Sequence, residues 1–351
     1  MLVLSLRASF RPTTTTKDVE GGFMTDASKT RPQRASVGED QIFEMVRRYF
    51  LEDESKSDLA RHFGISRFQV ARLLKEARET GLVMISIRHP AQLSPEMGLD
   101  VAAALGIEHA IVVDRIPGSD QSTIEAVAHR LAIVLDDEIK PGQTVGMTWS
   151  RVIESMARQI RQLPTCEVVQ LAGAIHLTGN RLGSVETIRI IAEAANGTAY
   201  PIYAPLVLQE AETARALARQ PDIARSLARI EELDIAVVSV GAWRPSGSAL
   251  YNMLTASEAE EIADKGACGE ISGRLFDQHG QAIESELDRR VLGISVDQLR
   301  RVPRVIGTGA GAYRAQATIA AAKAGLFNTL IVDRSLAQAI LDLTGSFTAN
   351  A

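Results

Sequence analysis

The stretch Lys140-Pro-Gly-Gln-Thr-Val-Gly-Met-Thr-Trp-Ser-Arg151 opens on a Pro-Gly turn, passes through a short apolar run and ends in residues suited to start a helix. Thr144–Met147 is expected as a strand, with a helix following from about Ser150. A turn of this kind directs backbone N–H groups and a helix N-terminus toward one point, which favours phosphate. Thr148 and Ser150 add hydroxyl donors. The plain alternative is an ordinary strand-to-helix connection, since every α/β protein has several.

The same unit recurs along the chain. Ala110–Asp114, Glu167–Leu171, Asp234–Val240, Val305–Gly309 and Thr329–Asp333 are apolar runs of strand length with helical periods between them. S/T-x-x-E capping boxes at Ser122–Glu125 and Thr255–Glu258 predict two helix starts. The last helix is expected from Ser335 to about Leu343. Strands alternating with helices predict an α/β domain with a mostly parallel sheet.

Three further segments carry possible ligand chemistry. Val168–Ala174 is a strand reaching Gly173 at its carboxyl end, where ligands sit in open α/β sheets; Gly173 as a simple turn residue is the alternative. Gly266–Gly280 combines glycines with Glu270 and Asp277 in a stretch that reads as loop-rich. Glu270 can accept hydrogen bonds from sugar hydroxyls, or it is a solvated loop acid. Cys268 there reads as a small buried side chain. Val305–Arg314 is again a strand, a glycine-rich turn and a helix. The dinucleotide fingerprint is incomplete, because Asp333, about 22 residues on, is followed by the last helix and not by a further strand. Arg314 can pair with a phosphate bidentately.

The front of the chain differs. Ile42, Val46, Tyr49 and Phe50 recur at helical spacing, and Leu59, Ala60 and Phe63 define a second short helix. Gly64 then allows a tight turn. Ser66-Arg67-Phe68-Gln69 is a capping box that starts a third helix, running to about Thr80 and stopped by Gly81. Val83–Arg88 reads as a strand, or wing. Two short helices joined through a glycine turn, the second rich in Arg, form the pattern of a helix-turn-helix. With Val70, Leu73, Leu74 and Ala77 on the buried stripe, Phe68, Arg72 and Lys75 face outward beside Gln69, with Ser66 and Arg67 at the helix start. Arg can read guanine and Gln adenine in a major groove. Lys75, Arg78 and Arg61 suit phosphate. A small bundle with a solvated basic face is the alternative; an outward Phe68 favours a partner such as a thymine methyl.

The chain has 351 residues, 46% of them hydrophobic and 23% charged, which suggests about two folded domains. No apolar stretch is long enough to cross a bilayer. Cys166 and Cys268 are too few for a disulfide framework and lack metal-site spacing. The net charge of −5 hides an asymmetry: residues 1–90 carry 15 Lys/Arg against 12 Asp/Glu, and the remainder 23 against 31. A weakly basic front precedes an acidic body. Residues 1–38, without apolar periodicity after Leu6, are expected to be a disordered extension. Residues 39–90 form the winged helix-turn-helix and 91–351 the α/β domain. Neither a cofactor nor a metal is expected, and a cytoplasmic location is.

Lys56–Ile87, with its Gly-Ile-Ser-Arg turn and Arg-Leu-Leu-Lys-Glu-Ala-Arg helix, resembles the DNA-binding region of the SorC family of bacterial transcriptional regulators. Gly146-Met-Thr-Trp149, Leu171-Ala-Gly173, Tyr200-Pro-Ile-Tyr-Ala-Pro-Leu206 and Gly269-Glu270 resemble that family's sugar-binding domain. The resemblance covers about residues 40–345. It implies a fold similar to the glucosamine-6-phosphate deaminase, ribose-phosphate isomerase and CoA-transferase group. It also implies an effector pocket built from Gly146, Met147, Thr148, Trp149, Ser150, Gly173, Glu270 and Arg314. Three departures stand out: Arg314 where Lys is common, Glu270 where Asp is frequent, and Ser150-Arg151-Val152 where Gly-x-Thr often follows Trp. Arg keeps its charge but forms no Schiff base.

The expected function is a DNA-binding transcriptional regulator controlled by a sugar or polyol phosphate. Its partners are an operator in double-stranded DNA and further copies of itself, as a dimer or tetramer, with no membrane. The alternative is a sugar-phosphate isomerase or deaminase with an accessory helical domain. Such catalysis needs a positioned acid/base pair. Among the histidines of the rear domain only His176 and His279 fall in plausible pocket loops, and no tight constellation emerges.

Overall fold

The computed structural model describes residues 2–6, 38–80, 82–87, 93–114, 119–175 and 181–348. The chain divides into two compact units, Met1–Pro90 and Ala91–Ala351.

In the first unit, helices α1 (Glu39–Leu51), α2 (Lys56–His62) and α3 (Arg67–Glu79) enclose a small core that includes Met45, Val46, Leu59, Val70 and Leu74. Ser55 caps α2, its Oγ accepting from Asp58 N at 3.2 Å. The box at Ser66 forms: Ser66 Oγ accepts from Gln69 N at 3.2 Å, and Gln69 Oε1 accepts from Ser66 N at 3.1 Å. Between α2 and α3, Gly64 takes φ +64°, a conformation costly for other residues. Strand β2 (Val83–Ile87) pairs antiparallel with β1 (Leu2–Leu6). This strand corrects the expectation of disorder for those five residues. A lone strand leaves its backbone groups unpaired, and the apolar run Leu2-Val-Leu-Ser-Leu6 supplies partners. Residues 7–37, in the same expected extension, lie outside the described residues.

The second unit is built on seven parallel strands: β3 (His109–Val113), β4 (Thr144–Met147), β5 (Glu167–Gln170), β6 (Ala199–Tyr200), β7 (Ile235–Ser239), and, later in the chain, β11 (Arg304–Gly309) and β12 (Thr329–Asp333). Their order is β3-β12-β11-β7-β4-β5-β6, every pairing parallel. From β4 the chain steps outward to β5 and β6; from β7 it steps the other way, to β11 and β12. The sheet therefore has its topological switch between β4 and β7, where ligands of open α/β sheets bind. β4 is buried at every residue, the mark of a central strand covered on both faces.

Helices cover the sheet. α5 (Asp120–Glu138), α6 (Arg151–Gln159) and α7 (Ser184–Ala194) pack through Leu131, Ile153, Met156 and Ile188 into one core layer. α4 (Pro95–Leu105), α13 (Ala315–Lys323) and α14 (Arg334–Thr348) contribute Val101, Ala320, Ala321, Leu336 and Ile340 to another. α8 (Ala211–Ala218), α9 (Pro221–Ala228), α10 (Ala256–Asp264), α11 (Glu286–Arg290) and α12 (Val296–Arg301) complete the α-helices among the described residues. A small antiparallel sheet, in the order β10-β9-β8, is formed by β8 (Gly241–Ala242), β9 (Ala267–Ile271) and β10 (Arg274–Asp277).

Two expectations need correcting here. The α5 start at Asp120 precedes the Ser122–Glu125 box by half a turn; Ser122 Oγ instead donates to Ser119 O at 2.6 Å. The earlier start puts the Asp120 carboxylate in the first turn, where the helix dipole favours it. The stretch expected to be loop-rich, Gly266–Gly280, is largely the β9–β10 hairpin. Ser272 and Gly273, at φ +55° and +84°, make its two-residue turn, the backbone that matches strand twist. The box at Thr255 does form, with Thr255 N donating to Glu258 Oε2 at 2.9 Å.

Candidate effector site

A cavity of about 390 Å³ opens at the carboxyl ends of β4, β5 and β7. Thr148, Trp149, Ser150 and Arg151 enter it from the β4–α6 turn, Gly173 from the end of β5, Ser239 from the end of β7 and Gly241 from the short strand that follows it. Glu270 comes from β9, Ser248 from the segment after β8, and Arg314 from the turn after β11.

Glu270 is the cavity's carboxylate. Its Oε1 accepts from Ser248 Oγ at 2.9 Å and its Oε2 from Gly273 N at 3.1 Å. Burial pushes its carboxyl above the usual range; the two hydrogen bonds and the Arg314 charge oppose that shift without cancelling it. Arg314 is anchored by backbone carbonyls: Nε donates to Ala310 O at 3.2 Å and Nη1 to Val240 O. These bonds fix the guanidinium while leaving donors for a ligand. Its Cζ also lies 5.0 Å from the Tyr313 ring centroid.

A second network holds Trp149 and Arg181, which also line the cavity. Buried Glu154 on α6 accepts from Arg181 Nε and Nη2 at 3.1 and 2.8 Å, from Arg158 Nη2 at 3.1 Å and from Leu182 N at 3.1 Å. Burial raises its pKa, but these partners outweigh burial and hold it below the usual carboxylate range. Arg181 lies over the Trp149 ring at 5.0 Å, and Trp149 Nε1 donates to Leu182 O at 3.0 Å. Two wall hydroxyls, Thr148 Oγ1 and Ser272 Oγ, are buried with no hydrogen-bond partner among the described residues. Such groups cost about 1–3 kcal/mol each until a partner arrives.

Of the residues expected to form the pocket, Thr148, Trp149, Ser150, Gly173, Glu270 and Arg314 lie on the cavity. Gly146 and Met147 do not, which corrects their expected role. Both belong to a strand covered on both faces: Met147 is a wholly buried core residue, and a β-carbon on Gly146 would come within 2.5 Å of Leu171 Cδ2. Gly173 allows a close approach, since a β-carbon there would lie 2.5 Å from Pro205 O. Glu270 is a hydrogen-bonded strand residue, not a solvated loop acid. Burial pushes the Cys268 thiol up to about 11, so it is a weak nucleophile. His176 lies outside the described residues, and His279 does not line the cavity. Sequence reasoning missed Arg181, Glu154, Ser239 and Ser248. Glu154 alone carried a signal, as an acid in the first turn of an apolar helix.

On α3, Phe68 is 89% exposed and Arg67 and Arg72 are exposed. Lys75 is exposed and lies 3.5 Å from Glu79. Gln69 and Ser66 spend their side chains on each other in the capping box. Among the described residues no helix is long and apolar enough to cross a membrane, and no cluster of metal-ligating side chains occurs.

The profile of the Sugar-bind family, a sugar-binding domain, matches residues 90–342. The chain belongs to this family. The resemblance to the SorC regulators stands with it. The chain is similar to the deoxyribonucleoside regulator of Bacillus subtilis, 29% identical over 85% of this chain and 96% of that protein. It is similar to the sorbitol operon regulator of Klebsiella pneumoniae, 21% identical over 86% of this chain and 97% of that one. The crystal structure of the full-length sorbitol operon regulator SorC from Klebsiella pneumoniae shares the fold. Its TM-score is 0.66 at 20% identity, over 87% of this chain and all of that one.

Proposed function

We propose that this sugar-binding family member is a DNA-binding transcriptional regulator whose hold on its operator is set by a sugar or polyol phosphate in the cavity of the α/β unit. The observation that carries the reading is the meeting of Glu270, Arg314 and the start of α6 in one cavity at the sheet's topological switch. A carboxylate is a strong acceptor for hydroxyls, and a tethered guanidinium beside a helix N-terminus suits an anion. A hydroxylated anion matches both. The relatives' names, deoxyribonucleoside regulator and sorbitol operon regulator, support a carbohydrate-type effector.

The helical unit supplies the reading head, with Arg67, Phe68 and Arg72 presented by α3 and Lys75 beside them. Half-sites in DNA are matched by paired heads, so the working form is a dimer or tetramer in the cytoplasm. Effector binding must favour one arrangement of those heads to change operator affinity. The relatives are regulators, and we read the cavity as a sensor and not as a catalytic centre.

A thermal-shift screen of the full chain against sugars, polyols and their phosphates tests the reading. A true effector at 100-fold its Kd stabilises by about 2.7 kcal/mol. It should also change retardation of the protein's operator DNA, and Glu270→Gln should remove both effects. Stabilisation by none of the sugars, polyols or phosphates would overturn the assignment.

A further inference from the structure

Ser150, Arg151, Ser239 and Arg314 line a second cavity, of about 380 Å³, as well as the first. The second chamber lies between the start of α5, the Gly309–Tyr313 turn and the carboxyl end of β12. Each chamber alone is at the small end of ligand pockets, which span roughly 300–1,000 Å³. The two cavities share four lining residues, and two of these, Arg151 and Arg314, are arginines at the waist between them.

The chemistry of the waist differs from that of the chambers on either side of it. At the junction, Arg151 is exposed and pairs with no carboxylate among the described residues, and Arg314 is held by the carbonyls of Ala310 and Val240. An anionic group belongs there. The first chamber offers Glu270 to hydroxyls. The second also carries acids, Asp120 and Asp333. Asp333 is buried, with Oδ1 accepting from Gly311 N at 2.8 Å and Oδ2 from Ser335 N at 3.0 Å. A terminal phosphate in the second chamber would face both carboxylates, and like charges at short range are penalised. An uncharged hydroxylated group would not be.

We propose that the site takes a phosphodiester: a sugar or polyol in the first chamber, the phosphate between Arg151 and Arg314, and a second polyol in the chamber beyond. The proposal rests on the effector-site reading above and narrows its ligand from a phosphate monoester to a phosphate bridged on both sides.

Calorimetric titration of the full chain with matched pairs tests it. The pairs are glycerol 3-phosphate against bis-glycerol phosphate, and glucose 6-phosphate against its glycerol diester. The diester of at least one pair is expected to bind tenfold or more tighter than its monoester. Thr123→Phe, which fills the second chamber from α5, should abolish that difference. Monoesters binding as tightly as their diesters overturn the proposal and leave the effector-site reading in place. Binding by neither member of any pair overturns the proposal, and the screen of sugars and polyols then judges the site itself. If the Phe variant does not fold, the wild-type comparison still decides.

Discussion

A β-carbon added to Gly241 would lie 2.2 Å from Oε1 of Glu270. The cavity's carboxylate rests against bare backbone of β8, and the missing side chain is what lets it hydrogen-bond to Ser248. Gly241 is not in the left-handed region, so alanine is accessible to its backbone; the obstacle is the carboxylate. Gly241→Ala should displace Glu270 and weaken effector binding about tenfold, a loss of about 1.4 kcal/mol. Titration of the effector found in the screen measures this. Unchanged affinity would mean that Glu270 does not touch the ligand.

Glu270 also predicts a pH effect with a definite sign. Burial raises its pKa on folding, so the folded state holds the proton more tightly than the unfolded chain. The resulting stability is complete below the ordinary carboxylate range and is lost as pH rises through the raised value. Glu270→Gln removes this dependence. The variant should melt above the wild type at pH 8, converge with it near pH 4, and yet fail to bind effector. Melting curves across that range supply the difference, and a difference independent of pH would contradict the assigned burial of the charge.

Much of this architecture is legible in the sequence alone. Thr144–Met147 and Thr329–Asp333 are strands over their expected bounds, because short apolar runs between turn residues have few other uses in a domain of this size. Val70, Leu73, Leu74 and Ala77 are the buried stripe of α3, since the 3.6-residue period leaves one solution once Ser66 sets the start. The pocket was readable where local chemistry marks it, at Thr148, Ser150 and Arg314. Gly146 and Met147 fell on the wrong side because a strand buried on both faces has no alternation to reveal which residues reach its end. Arg181 and Ser248 were out of reach for another reason. Their roles depend on Glu154, 27 residues away, and Glu270, 22 residues away, and no local pattern encodes such pairings.

Glu154 ties the cavity wall to α6. Replacing it with alanine leaves the Arg181 guanidinium and the Leu182 N–H without their acceptor, at a cost of about 2 to 4 kcal/mol. Its carboxyl sits below the usual range, so its contribution is present above that range and disappears as pH falls through the lowered value. Denaturant unfolding should therefore show a large gap between wild type and Glu154→Ala at pH 7, shrinking on acidification. A gap of the same size at pH 7 and pH 3 would show that packing, not charge, makes the difference.

The ion pair between Glu258 and Arg290, at 2.8 Å, makes a smaller claim. The Arg290 hydrogen bond leads, with the Thr255 cap helping, in lowering the Glu258 pKa to about 2. Both side chains are partly solvated, so Glu258→Gln should cost no more than about 1 kcal/mol at neutral pH. That cost should fade as the solution is acidified from pH 4.5 toward 2, measurable by thermal unfolding. A larger loss would point to the capping box, whose Glu258 oxygen also accepts from Thr255 N.

The reading head divides its residues by task. Gln69 Oε1 accepts from Ser66 N and from Ser66 Oγ, both at 3.1 Å, so its side chain is occupied in starting α3. Gln69→Ala should lower the melting temperature of the helical unit, with a cost of about 0.5–2 kcal/mol typical of lost caps. Arg72 is exposed and has no such duty. If it meets a guanine, Arg72→Ala should cost about 1–3 kcal/mol on the preferred operator and flatten the preference at one base position. Lys75 lies a turn further on, paired loosely with Glu79, and suits a phosphate. Lys75→Ala should weaken all sequences alike and reduce the salt slope of binding by about 1. Gel-shift titrations at several salt concentrations, on operator and scrambled DNA, separate the three outcomes. Equal losses on both DNAs for Arg72→Ala would move base reading away from this face of α3.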